Sequence, residues 1–173
     1  GGFKITQTEL QSSIDAVMAE RAKVDSSQMQ LESGEELNRG QLRFKILMHT
    51  FDEIAKELKI DVTSSQIGAK KATILESVGG EAELPKNLVN AAIALQDFDT
   101  YVRAIVISEQ ISQALSQSGV ADEEVSAKVS ELLTAKAKTL GVKINPRYGA
   151  WDNEAGDVVA ANVTGDAVKP SAK

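Results

Sequence analysis

Val142-Lys143-Ile144-Asn145-Pro146-Arg147-Tyr148-Gly149-Ala150-Trp151-Asp152 is the stretch on which the fold turns. It holds one of three prolines, one of two tyrosines and the only tryptophan of the chain. Val142-Lys143-Ile144 alternates apolar and polar side chains, the period of a strand, and Asn145-Pro146 breaks it. At the opposite end, Phe3-Lys4-Ile5-Thr6 alternates in the same way. The two segments are expected to pair, with Phe3, Ile5, Val142 and Ile144 partly buried. Two short strands are marginal in water by themselves, so a helical body must lie beneath them.

That body is legible between the two ends. Thr6-Gln7-Thr8-Glu9 has the spacing of a capping box and opens a first helix carrying Leu10, Ile14, Val17 and Met18 on one face. A second helix, about 35–58, repeats apolar residues at Phe44, Leu47, Met48, Phe51, Ile54, Ala55 and Leu58, one continuous stripe. Thr63-Ser64-Ser65-Gln66 is a second capping box, and the helix it starts stops at Gly79-Gly80. A short helix with Leu88 and Val89 follows Pro85. Residues 98–117 are apolar almost all round at Val102, Ala104, Ile105, Val106 and Ile107, the mark of a central core helix. The last helix, 122–140, has Val125, Val129, Leu132, Leu133 and Leu140 on one side, a poor cap at Ala121 and a stop at Gly141. The expected fold is mainly α: a bundle of five to six helices closed by a short two-stranded sheet pairing the N-terminal and C-terminal segments. Residues 1–152 form the domain, and 153–173, small and acidic, form a flexible tail.

Composition narrows the function. The chain has 173 residues with a net charge of −6 and no cysteine. An acidic surface does not suit nucleic-acid phosphates or anionic lipid. Without cysteine there is no disulfide, thiolate or cysteine–metal chemistry. No apolar run is long enough to span a membrane. His49 is the only histidine and has no second imidazole or thiolate with which to build a zinc site, so no metal and no cofactor are expected. The carboxylates of Asp122-Glu123-Glu124 suit the positive end of a helix dipole. No phosphate loop and no nucleophile elbow is present. Phe44, Met48, Phe51, Tyr101 and Ile105 are candidates for an adaptable apolar groove that binds peptide, although the same residues at helical spacing also suit a core. Pro146, Tyr148 and Trp151 suit a structural clamp that fastens the terminal segment to the body.

The order of these parts resembles a known family. Gly1-Gly2-Phe3-Lys4-Ile5-Thr6, the helix ending Ala55-Lys56-Glu57-Leu58-Lys59-Ile60, and the junction Asp61-Val62-Thr63-Ser64-Ser65-Gln66-Ile67 look like the N-terminal domain of the SurA-type chaperones. The closing Val142–Asp152 stretch resembles the ending of short SurA-like lipoproteins of high-GC Gram-positive bacteria. The resemblance implies an exported protein of the cell envelope, lipid-anchored through a cysteine upstream of these residues. It also implies a holdase that binds unfolded or extended segments of exported proteins. Relatives often insert a parvulin-type prolyl isomerase domain before the last helix. Here Gly119–Asp122 joins the two helices directly, so no isomerase activity is expected. The competing expectation is a structural or adaptor lipoprotein that binds one envelope partner.

Overall fold

The computed structural model describes residues 4–161. Six α-helices make up most of it: α1 (Gln7–Arg21), α2 (Gly34–Glu57), α3 (Ser64–Val78), α4 (Leu84–Asn90), α5 (Phe98–Gln117) and α6 (Asp122–Leu140). Short 3-10 turns at Leu95–Asp97 and Pro146–Tyr148 join them to α5 and to the C-terminal hairpin. The hairpin consists of β1 (Ala150–Asp152) and β2 (Asp157–Val159).

Both capping boxes form. Thr6 Oγ1 accepts from the Glu9 amide at 3.1 Å while the Glu9 carboxylate accepts from the Thr6 amide at 2.8 Å. Thr63 and Gln66 repeat the arrangement at the start of α3. Each box satisfies amides that the first helical turn leaves without partners. Ala121 gives α6 no side-chain cap. Four helices end in the same double hydrogen bond, with a left-handed residue at Lys59, Gly79, Ala92 or Gly119 and bonds such as Ile60 N–H to Ala55 C=O at 2.8 Å.

The fold is mainly helical with a two-stranded antiparallel sheet, as the sequence predicts, but the strands differ from those expected. The register is Ala150↔Val159, Trp151↔Val158 and Asp152↔Asp157, so both strands come from the C-terminal segment. Lys4–Thr6 and Val142–Asn145 belong to no helix or strand and do not pair with each other. Phe3 lies outside the described residues. The reason is local. Asp152 accepts from the Glu154 and Ala155 amides at 2.8 and 3.0 Å, Gly156 sits at φ +63°, and its N–H reaches Asp152 C=O at 2.9 Å. A four-residue loop closes at far smaller entropic cost than pairing across almost the whole chain.

This hairpin also corrects the boundary of the expected tail. Residues 153–161 belong to the body: Val158 is 5 % exposed and packs with Leu10, Leu42 and Ile46. The rest of the proposed tail, 162–173, lies outside the described residues.

Among the described residues the core forms four apolar clusters, and α2 contributes to each. Ile54 and Ala55 meet Ile107, Ile111 and Val129 between α2, α5 and α6. Leu42 and Ile46 meet Leu10 and Val158 beneath the hairpin. Phe44 borders Leu88, Phe98 and Val102. Leu37 meets Val17 and Ala94. The sequence points to α5 as the central helix; the structure gives α2 at least an equal share. Two fully buried polar side chains disguise it. Gln41 donates to Ala92 C=O at 2.6 Å, and Thr50 donates to Ile46 C=O at 2.8 Å. The bond compensates the burial of Thr50, and that of the Gln41 amide N–H, whereas Gln41 Oε1 is buried without a donor among the described residues.

Candidate functional site: a cleft between the chain ends

Thr6 and Gly141 decide where the candidate site lies. The Thr6 cap, itself extended, starts α1 and leaves Lys4 and Ile5 outside the helix. Gly141, at φ +62°, ends α6 and releases Val142–Asn145 likewise. Between the two segments is a cavity of about 750 Å³. Leu10, Leu42 and Ile46 line its floor and belong to the buried cluster beneath the hairpin. Ile5 on one wall and Val142, Ile144 and Tyr148 on the other are half-buried against that same cluster. The volume falls in the range of pockets that enclose small ligands or a few side chains.

His49 stands where this cavity approaches a smaller one of about 230 Å³, and it lines both. Burial holds its imidazole below the usual histidine range, and the nearby Glu53 carboxylate opposes that shift. The smaller cavity also takes in Glu9, Lys45, Asp52 and Asp97. These charges already have partners: Asp52 pairs with Arg103 at 2.8 Å, Asp97 with Lys45 at 3.9 Å and with the Ser13 hydroxyl at 2.9 Å, and Glu9 with the Thr6 amide at 2.8 Å. Among the described residues no group of three or more His, Asp or Glu side chains is placed to hold a metal ion.

The five groove candidates do not share one surface. Phe44 and Tyr101 face each other, ring centroids 6.5 Å apart and tilted by 36°, on the cluster around Phe98 and Val102. Phe51 packs instead against Ile54 and Ile107. Met48 borders the smaller cavity with Phe44. Ile105 is half-buried on α5 and lines neither cavity. They fail as a groove because α2 packs on several sides, so its apolar stripe is divided among neighbours. The larger cavity uses another face of α2, through Leu42, Ile46, His49 and Thr50. Their spacing of i, i+4, i+7 and i+8 is helical, but the polar members interrupt the apolar signal.

Tyr148 and Trp151 pack on the cluster around Leu10 and Leu42, and Pro146 is exposed at the start of the turn that delivers them. Asn145 Oδ1 accepts from the Arg147 amide at 3.1 Å, and the Arg147 guanidinium lies 4.9 Å from the Tyr148 ring centroid. The Trp151 indole N–H is buried without an acceptor among the described residues.

No family model, curated protein or solved structure matches this chain.

Proposed function

We propose that this protein is a chaperone-like holdase of the cell envelope that binds unfolded or extended segments of exported proteins in the cleft between its chain ends. The single observation that carries this reading is the cavity of about 750 Å³ with an apolar floor of Leu10, Leu42 and Ile46. An apolar hollow of that size on a small helical body suits a ligand that brings apolar side chains. Burying a few of them contributes about 1.5–3 kcal/mol each before the cost of ordering the ligand, which puts affinity on a micromolar scale. The likeness of its opening and closing sequences to SurA-type proteins supports an extracytoplasmic location with a lipid anchor upstream. The reading assigns no reaction to the chain.

The test is binding of a fluorescent, extended apolar peptide, together with suppression of aggregation of unrelated heat-unfolded proteins. Ile144→Asp, a half-buried wall position, weakens both at least about tenfold by placing a charge in the apolar cleft. Helical circular dichroism checks that the variant folds. Failure of the wild-type chain to bind any peptide, with recovery of one stoichiometric envelope protein instead, overturns this reading in favour of the adaptor alternative. Prolyl-isomerase turnover above background overturns the assignment of no reaction.

A further inference from the structure

The walls of the large cavity have backbone groups that find no partner among the described residues. Ile5 on one side and Val142, Lys143 and Ile144 on the other belong to no helix or strand, adjoin the extended residues Thr6 and Asn145, and make no backbone hydrogen bond with described residues. Unpaired extended backbone is a template for another strand. The side chains alternate as a strand requires: Ile5, Val142 and Ile144 turn toward the apolar floor, while Lys4 and Lys143 are exposed. Among the described residues that line the cavity, Lys4 and Lys143 are the only Lys, Arg, Asp or Glu, in a chain whose net charge is −6. Neither lysine forms an ion pair among the described residues. Glu9, close by in sequence, is turned back onto the Thr6 amide.

We propose that the cleft takes an extended polypeptide segment alternating apolar and acidic side chains, which adds as a strand along these walls. The proposal rests on the peptide-binding reading above and names its preferred substrate. Apolar side chains of the guest point to Leu10, Leu42 and Ile46. Its alternate carboxylates point outward, beside Lys4 and Lys143. Its backbone supplies donors and acceptors to wall groups that a hydrocarbon chain leaves unpaired.

The experiment measures fluorescence anisotropy of the full chain with three labelled octapeptides: (Val-Glu)4, (Val-Gln)4 and (Val-Lys)4. (Val-Glu)4 is expected to bind about tenfold more tightly than (Val-Gln)4, from two cross-strand charge pairs, and the gap narrows as salt rises. This order opposes the overall charge of the protein, which by itself favours (Val-Lys)4. The exposed-site double variant Lys4→Glu/Lys143→Glu reverses the order. N-methylating alternate amides of (Val-Glu)4 abolishes binding. Equal binding of all three peptides overturns the inference and leaves the peptide-binding reading standing; no binding of any peptide removes both. Unchanged binding of the N-methylated peptide overturns strand addition. Complete displacement of (Val-Glu)4 by dodecanoate at equal concentration overturns the peptide in favour of an acyl chain.

Discussion

Gly149 shows how narrow the tolerance is at single positions. It is buried at φ +126°, and a Cβ there stands 2.2 Å from Val159 C=O. Both the backbone conformation and the contact exclude a side chain, because the hairpin returns directly over this residue. Gly149→Ala is expected to destabilise the protein by about 2–3 kcal/mol, read as a lower urea midpoint with unchanged slope. The reverse case is Lys59, a non-glycine residue at φ +55° on an exposed site past α2. Lys59→Gly is expected to raise stability by about 0.5–1 kcal/mol, since the left-handed conformation then carries no Cβ penalty. His49 supplies a pH dependence. Its folded-state imidazole resists protonation because of burial, whereas the unfolded chain takes up a proton near pH 6.5. The stability that the neutral side chain gives is therefore complete above about pH 6.5 and declines as pH falls below it. Thermal midpoints at pH 7.5 and 5.5 should differ less in His49→Gln than in the wild type. Glu9, Glu53 and Asp152, held below their usual range mainly by hydrogen bonds, titrate at lower pH and fall outside this window.

At the scale of the element, capping boxes and hairpin are local devices, and two of the three were legible. Thr6-x-x-Glu9 and Thr63-x-x-Gln66 form as their spacing predicts, because a cap needs only residues within one turn. Thr63→Ala is expected to cost about 1 kcal/mol, and Thr6→Ala a similar amount, by equilibrium denaturation. Thr6→Ala should also weaken peptide binding, because the same residue sets where the chain leaves α1 and becomes the wall of the cleft; Thr63→Ala should not. The hairpin was the element missed. Asp152-Asn153-Glu154-Ala155-Gly156 between Ala150-Trp151 and Asp157-Val158-Val159 carries turn residues between β-branched and aromatic ones, a readable signal. Its acidic, glycine-containing composition suggested a tail instead. Composition averages over a window, whereas a turn depends on which residue accepts which amide.

The molecule as a whole depends on the hairpin acting as a lid on the cluster of Leu10, Leu42 and Ile46, which is also the floor of the cleft. A chain ending at Gly149 loses Trp151 and Val158 from that cluster. It is expected to lose at least about 3 kcal/mol of stability, and to bind the hydrophobic dye ANS while keeping most of its helical circular dichroism. Local physics, written into the sequence by itself, determined the helical character of the body, the two capping boxes, the left-handed stops at Gly79, Gly119 and Gly141, and the half-burial of Ile5, Val142 and Ile144. Those features depend on periodicity and on neighbours a few residues away. Local physics did not give the end of α1, which stops at Arg21, or the role of Gly34, which opens α2. Only the tertiary structure decided which faces of α2 are buried, where the five groove candidates go, and that the chain ends flank a cleft instead of pairing. An apolar residue is driven out of water by whichever neighbour arrives, and periodicity does not say which neighbour that is. Thr50 carries its own compensation, the Ile46 carbonyl one turn back in α2, but the Gln41 amide N–H finds the Ala92 carbonyl only once the helices have packed.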